Sequence, residues 1–209
     1  MNSITITMIK TILFDFGDVF LTLDKSATGK HLKENGISEL DAELVNINKA
    51  YEKGLISTDE FSRHYTNRFE GFTTETFKTA WNSILIEFPK HRLEFLKKLK
   101  AAKNFKLILL SNTNELHIDW VKENIPVYEE FRLCFDEFYL SHEIHYRKPD
   151  ASIFEFVLNE NDLNPKETLF VDDTLEHTLT AKKLGIHTWH LQAGQEEVIE
   201  LFSKKSDLF

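Results

Sequence analysis

The sequence has little cysteine and no long apolar run, and each absence narrows the class of protein. Cys134 is the only cysteine, so no disulfide can form within the chain, which fits a reducing compartment. We interpret Cys134 as a small buried hydrophobic residue. No stretch approaches the roughly 18 apolar residues of a membrane span, and residues 1–8 lack the basic start and apolar core of a signal peptide. The composition predicts a soluble, cytoplasmic protein without a membrane partner.

Positive charge is also scarce. The 25 lysines and arginines are outnumbered by 34 aspartates and glutamates, which gives a formal net charge of −9. There is no basic block of the kind that follows a nucleic-acid backbone, so we expect no nucleic-acid partner. A phosphorylated ligand would have to be attracted locally, by a metal ion, a lysine and helix N-termini. Nothing in the sequence indicates an oligomeric state.

What the chain does have is an alternation of strands and helices that is interrupted once. Its 209 residues can bury a full core, as one domain or as one domain with an insertion. An apolar strand is predicted at 9–14, and later strands alternate with helices, which indicates a parallel sheet with right-handed crossovers. The later strands are predicted at 105–110, 137–140, 168–172 and 187–190, and the helices at 93–99, 116–121, 150–161, 175–184 and 196–202.

Amphipathic helices fill the segment between the first strand and this alternation. Ser57 and Glu60 give the N-cap signal of one helix. A further helix is predicted to run through Ile84 and Leu85 and to end near Pro89. We therefore predict an all-helical cap at 25–88, inserted into a discontinuous core domain of residues 1–24 and 89–209.

Three acidic residues at strand ends carry the strongest functional signal. Asp15 directly follows the first strand, at the edge of an open α/β sheet where ligands bind. A carboxylate there can attack phosphorus in line and form an aspartyl-phosphate that water hydrolyses. Asp172 and Asp173 end a later strand, and adjacent buried acids repel unless a cation neutralises them. With Asp15 and a backbone carbonyl they form an oxygen-only ligand set of the Mg²⁺ type; helix capping is the alternative for the pair.

Two other stretches offer groups for a phosphate. Ser111 and Asn112 follow the second strand, where a hydroxyl and backbone N–H groups can hold phosphate oxygens. Asn114 either joins them or caps the next helix. Lys148 precedes Pro149, which fits the first turn of a helix. Its ammonium would neutralise the nucleophile and the transferring phosphoryl group, whereas the alternative is a solvated surface lysine.

In order, spacing and strand-end position, these motifs resemble those of the haloacid dehalogenase superfamily, with Asp15, Ser111, Lys148 and the Asp172-Asp173 pair as motifs one to four. The resemblance covers essentially the whole chain. It implies an α/β, Rossmann-like parallel sheet of strand order 5-4-1-2-3 with a helical cap after the first strand. It also implies a catalytic Asp15 and Lys148.

The same resemblance implies a magnesium site and a substrate class. Asp15, the Gly17 carbonyl and Asp173 would bind Mg²⁺, and Asp172 would bond a metal-bound water. The phrases Phe-Asp-Phe-Gly-Asp-Val, Leu-Ser-Asn-Thr-Asn-Glu-Leu-His and Arg-Lys-Pro-Asp resemble one subgroup. It contains sugar-phosphate phosphatases such as α-D-glucose-1-phosphate phosphatase, near the N-terminal phosphatase domain of epoxide hydrolases.

The chain departs from the family pattern at two positions. Most family phosphatases have an aspartate two residues after the nucleophile, as general acid and base, where this chain has Gly17; Asp18 comes one residue later. Losing that help, worth roughly 10² to 10⁴ in rate, would favour leaving groups that need little protonation, such as a sugar 1-phosphate. The named subgroup also has glycine there. His177 stands where relatives often have asparagine, as support for the metal site or as a neutral helix residue. His117 faces either the cleft or the surface.

Three functions are consistent with these residues. The first is a Mg²⁺-dependent phosphatase of a small phosphorylated metabolite, with a sugar phosphate as the favoured substrate. The second is a degenerate family member that binds a phosphorylated ligand without hydrolysis, to which Gly17 and His177 point. The third is a haloacid dehalogenase; that reaction needs no metal, so the Asp172-Asp173 pair argues against it.

Overall fold

The computed structural model describes residues 8–209. Residues 1–7 lie outside the described residues. The predictions made for them, the absence of a signal peptide and the start of the core domain, are therefore not described by the structure. The strands of the described part are β1 (Thr11–Phe14), β2 (Thr22–Leu23), β3 (Leu85–Glu87), β4 (Lys106–Ser111), β5 (Glu137–Leu140), β6 (Thr168–Asp172) and β7 (His187–His190). None of the helices in this part has the length and hydropathy that a membrane span requires.

Five parallel strands form the central sheet, in the order β5-β4-β1-β6-β7. Counted along the chain within this sheet, that is the predicted order 5-4-1-2-3 read from the opposite edge, so the α/β fold prediction is confirmed. The strand β1 lies in the middle of the sheet, and its four residues are all buried. A strand with helices on both sides of its sheet must be apolar on both faces.

Helices cover the sheet and form a separate layer above its edge. They are α1 (Ala27–Glu34), α2 (Ala42–Glu52), α3 (Thr58–Thr66), α4 (Thr74–Asn82), α5 (Lys90–Ala102), α6 (Glu115–Asn124), α7 (Tyr128–Arg132), α8 (Ser141–Ile144), α9 (Ala151–Glu160), α10 (Leu175–Lys183) and α11 (Leu201–Lys204). Short 3₁₀ turns lie at Pro165–Glu167, Val198–Glu200 and Ser206–Leu208. The predicted helix at 196–202 is therefore divided between a 3₁₀ turn and α11.

The helices α1 to α4 have an apolar cluster of their own. Phe61 is fully buried at its centre, stacked on Tyr51 and in edge contact with Phe77 and Trp81. The predicted N-cap is confirmed, because Ser57 and Glu60 form a reciprocal capping box at the start of α3. Such a cap satisfies two backbone donors that the first helical turn leaves without partners. The domain boundaries themselves stay a prediction.

Two of the secondary-structure predictions are wrong. The helix α4 ends at Asn82, and Leu85 begins β3, which pairs antiparallel with β2. The segment 25–88 is therefore not purely helical, because its last residues pair with the strand that leaves the core. Lys148 and Pro149 precede α9 rather than open it. The side chain of Asn112 bonds both the N–H and the C=O of Lys148, at 2.9 and 2.8 Å, and so holds this residue in the loop.

Candidate active site

The ends of three neighbouring strands bring the predicted polar residues together. Asp15 follows β1, Ser111 ends β4 and Asp172 ends β6, and β1 lies between the other two strands. The Asp15 N–H continues the ladder by donating to the Val171 carbonyl at 2.9 Å. Since parallel strands end at one edge of the sheet, this edge forms the crevice in which open α/β proteins bind ligands.

Lys148 lies beneath this edge and connects two of the acids. It is fully buried, and its Nζ lies 2.8 Å from Asp15 Oδ1, 2.7 Å from Asp172 Oδ2 and 2.8 Å from the Leu110 carbonyl oxygen. Burial by itself would lower the pKa of Lys148, but the two carboxylates overcome it and leave the pKa raised. Lys148 is therefore a permanent positive charge against the predicted nucleophile, and the surface-lysine alternative is wrong.

Asp172 is the most fully bonded of the acids. Besides Lys148 it accepts hydrogen bonds from the Thr174 N–H at 2.7 Å and from His177 Nδ1, which lies 3.1 and 3.0 Å from its two oxygens. Burial would raise the pKa of Asp172, but Lys148 and His177 lower it. The carboxylate thus also bonds the start of α10, and His177 contacts Asp172 directly.

Asp15 carries the opposite shift. Burial raises its pKa to about 6, and the nearby charges of Asp172 and Asp173 add to the rise while Lys148 opposes it. A carboxylate surrounded by other carboxylates needs more positive charge than a single lysine provides. Oxygens of Asp15, Asp172 and Asp173 all lie within 4.8 Å of one another, and a hard cation with oxygen ligands such as Mg²⁺ fits this donor set.

A second lysine contacts the acidic cluster. Lys25, at the start of the segment that leads into the cap, forms ion pairs with Asp173 and, at 2.9 Å, with Asp18. Sequence reasoning missed Lys25, because a single lysine between a strand and a helix has no periodicity or motif that marks it. Its contacts exist only because the loop after β2 folds back over the sheet edge.

Gly17 and Asp18 form the turn after the predicted nucleophile. A Cβ on Gly17 would lie 2.7 Å from Leu23 Cδ1, so a side chain at this position would have to displace Leu23. Asp18 has a φ of 55°, and its Oδ1 accepts from the Leu23 N–H at 3.0 Å while its Oδ2 pairs with Lys25. Asp18 therefore stabilises the turn and does not occupy the position of the missing acid.

The predicted phosphate-binding stretch is divided between two tasks. Ser111 is buried at the end of β4, facing the same edge as the acids. The side-chain amide of Asn112 is hydrogen-bonded to the backbone of Lys148. Only the main chain of Asn112 is therefore left to bind a phosphate. Asn114 is the N-cap of α6, accepting from the His117 N–H at 3.1 Å, so its capping interpretation is confirmed.

His117 lies at the junction of core and cap. Its ring stacks on Trp81 with centroids 5.9 Å apart, and its Nε2 donates to the Trp81 carbonyl at 3.2 Å. Burial lowers the pKa of His117 to about 4, so the ring is neutral near pH 7. It faces the cleft but is already bonded on both nitrogens, because Nδ1 accepts from Asn114.

A cavity of about 400 Å³ extends from the sheet edge beneath the cap. At the sheet edge its lining includes Gly17, two residues after Asp15 in the chain, together with Ser111 and Asn112 at the end of β4. The remaining wall is mostly apolar and includes Phe16, Leu21, Leu23, Leu32, Ile37, Leu40, Trp81, Ile84, Leu85, Ile118 and Val121. Polar residues at the wall include Thr28, Asn48, Glu52, Asn114 and His117.

The fold and this site define an α/β protein with a Rossmann-like core, a carboxylate cluster at the sheet edge and a helical layer above it. The model of the haloacid dehalogenase-like hydrolases matches residues 9–185, and the chain belongs to this family.

Two similar proteins, one bacterial and one fungal, are named phosphatases. A D-ribitol-5-phosphate phosphatase of Bacteroides thetaiotaomicron is 30% identical over 201 residues, which cover 90% of this chain and 95% of that protein. A sesquiterpene phosphatase of Aspergillus oryzae is 25% identical, with 93% of this chain and 96% of that protein covered. A crystal structure of a family enzyme from B. thetaiotaomicron, complexed with magnesium and inorganic phosphate, has a TM-score of 0.77 and 33% identity, covering 90% and 96% of the two chains.

Proposed function

We propose that this chain is a Mg²⁺-dependent phosphomonoester hydrolase that works through an aspartyl-phosphate on Asp15. The observation that carries the proposal is the contact between Asp15 and the buried Lys148, at 2.8 Å, within a cluster of three carboxylates at the sheet edge. The retained nucleophile, lysine and acid pair argue against a degenerate binding protein. The similar enzyme crystallised with magnesium and phosphate and the phosphatase relatives support it.

The proposed reaction follows from the charges at this edge. Asp15 attacks phosphorus, the bond to the ester oxygen breaks and the alcohol leaves; water then cleaves the acyl phosphate and returns the carboxylate. Lys148 holds positive charge against the attacking oxygen, and Ser111 with the following main chain faces the phosphoryl oxygens. Asp15, Asp173 and the Gly17 carbonyl would hold Mg²⁺, with Asp172 supporting them, and the ion would supply positive charge that offsets the acids and the phosphate.

The leaving group must take its proton without a side chain at position 17. Because Gly17 offers no acid and Asp18 is bonded to Leu23 and Lys25, we expect esters of acidic alcohols to react fastest. Aryl phosphates and sugar 1-phosphates are such esters. A steep fall of kcat with rising leaving-group pKa would support this, and equal kcat values for simple alkyl phosphates and sugar 1-phosphates would contradict it.

Two substrate classes have support. A sugar or polyol phosphate fits the subgroup that the sequence resembles, and the bacterial relative is named for D-ribitol 5-phosphate. An ester with an apolar organic part fits the cavity wall, and the fungal relative is named a sesquiterpene phosphatase. In both cases we propose a small phosphorylated metabolite as the partner.

The decisive experiment measures phosphate release from an aryl phosphate and a panel of esters, with Mg²⁺ and with a chelator. We expect turnover only with Mg²⁺, and a loss of about 10³-fold or more in Asp15→Asn because the nucleophile is gone. Asp119→Asn, which removes an exposed carboxylate from α6, is the matched control and should keep full activity. A folded, Mg²⁺-binding protein without turnover on any ester would refute the phosphatase.

A further inference from the structure

The wall of the cavity beneath the cap is more apolar than recognition of a polyhydroxylated molecule requires. Beyond the phosphate end, the space is bounded on the cap side by Leu32, Ile37 and Leu40 and on the core side by Ile118 and Val121. These side chains belong to three separate parts of the fold, namely α1, the loop after it, and α6. The apolar lining is therefore a property of the whole cavity rather than of one helix.

Three of the polar residues at the same wall are bonded within the protein, while two others, Ser38 and Glu39, are exposed. Asn48 Oδ1 accepts from the Tyr65 hydroxyl at 2.8 Å, and Glu52 Oε2 accepts from Arg147 Nε at 2.8 Å. His117 is bonded on both ring nitrogens, as described above. These bonds hold the cap helices and the Lys148 loop in place, so using the side chains for a substrate would cost contacts that support the fold.

The hydroxyl groups of a sugar or polyol bound here would lose hydrogen bonds to water without gaining equivalent hydrogen bonds to the protein. Each hydroxyl that leaves water for an apolar wall without a new partner costs free energy. An alkyl chain or ring of the same size gains from the same transfer. The comparison depends on the wall and not on the phosphate end, which is shared by all esters.

Resting on the proposed phosphatase activity, we infer that the physiological substrate is a phosphate monoester whose organic part is apolar rather than polyhydroxylated. The phosphoryl group lies next to Asp15, at the part of the cavity that Gly17 and Ser111 line, and the apolar part extends toward Leu40. The apolar wall thus acts as the specificity-determining surface of the enzyme.

Matched ester pairs test this inference directly. Pentyl phosphate and D-ribitol 5-phosphate share a five-carbon chain and a primary ester, and they differ mainly by hydroxyl groups; hexyl phosphate and sorbitol 6-phosphate form a second pair. With Mg²⁺ present, we expect the alkyl ester of each pair to have the higher kcat/KM by about tenfold or more. The difference should lie mainly in KM, because the wall contacts the substrate outside the reacting atoms.

A variant locates the preference in the wall. Leu40 lines the cavity but is 38% exposed on a loop, so Leu40→Gln should fold normally. It should lower the pentyl-to-ribitol ratio about threefold or more, whereas Leu55→Gln, on an exposed cap residue outside the cavity wall, should leave the ratio unchanged.

The outcomes separate this inference from the activity on which it depends. Turnover of both esters with equal or higher kcat/KM for the polyol phosphate would overturn the apolar substrate and leave the phosphatase intact. An unchanged ratio in Leu40→Gln would also count against the wall. Absence of turnover on every ester, the aryl phosphate included, would instead refute the phosphatase itself.

Discussion

Asp172 shows how one carboxylate connects three parts of the site. It accepts hydrogen bonds from Lys148 in the loop before α9, from the Thr174 N–H at the start of α10, and from His177 in the first turns of that helix. A carboxylate bonded on both oxygens keeps a fixed orientation toward the acids beside it. His177 is thus a positioning residue for the proposed metal site, since it acts through Asp172.

Replacement of His177 tests this role. We expect His177→Leu to lower Mg²⁺ affinity and kcat/KM by about 10- to 100-fold, because Asp172 loses a donor. His177→Asn, whose amide can donate to the same carboxylate, should restore much of both. Calorimetric titration with Mg²⁺ measures affinity independently of activity. A full loss of activity with unchanged Mg²⁺ affinity would show that His177 acts elsewhere.

Single residues also show where sequence reasoning succeeds and fails. Asp15, Ser111 and Asp172 were found because strand ends in a parallel sheet meet at one edge, which the strand pattern alone predicts. Lys25 was missed, since its ion pair with Asp173 depends on how the loop after β2 folds back. The task of Asn112 in holding the Lys148 backbone was missed for the same reason. Local pattern predicts which groups reach the edge, but not which of them bond each other.

Among the elements, the end of α2 connects the cap to the core. The Glu52 carbonyl accepts from Ser141 Oγ at 2.6 Å, and the Lys53 carbonyl lies 2.8 Å from His145 Nδ1. Gly54 follows with a φ of +62°, and a Cβ there would lie 2.0 Å from the His142 carbonyl oxygen. The chain can turn against the backbone of α8 only because position 54 has no side chain.

Substitution of this glycine should therefore be costly. We expect Gly54→Ala to lower the free energy of unfolding by about 2 kcal/mol or more, through the clash and the strained φ together. Gly29→Ala, in α1 with no atom within 4 Å of the new Cβ, is the control and should be neutral or slightly stabilising. Denaturant unfolding of both variants measures the difference. Equal stability of Gly54→Ala and the wild type would mean that the α2–α8 contact yields easily.

Elements differ in how well the sequence predicts them. The strands β5, β6 and β7 have the predicted boundaries, and β6 is buried along its whole length. The cap helices were found from their periodicity, but β3 was not. The residues Ile84 and Leu85 continue a helical spacing, and only the nearby β2 makes the extended conformation of Leu85 favourable. A three-residue strand that forms only by pairing with a strand far away in the sequence has no recognisable pattern of its own.

At the scale of the whole molecule, His117 couples the junction of cap and core to pH. Its ring is held between Trp81 of the cap and Asn114 of the core, and its pKa falls from 6.5 to about 4 on burial. As the pH falls, His117 takes up a proton in the unfolded chain at a higher pH than it does in the folded protein. The contribution of neutral His117 to the free energy of unfolding is therefore complete above pH 6.5. It is lost progressively as the pH falls toward 4.

This linkage predicts a difference between the wild type and a ring that cannot titrate. Between pH 7 and pH 4.5 the wild type should lose about 2 kcal/mol more of its free energy of unfolding than His117→Phe does, whatever the variant's baseline at pH 7. Urea unfolding across this range measures the two slopes, with the exposed cap residue His64, changed to Phe, as the control. Parallel pH profiles for wild type and His117→Phe would show that acid weakens the protein at other groups. A flatter profile for His117→Phe alone would mean that the cap–core contact is a part of this enzyme that acid disrupts.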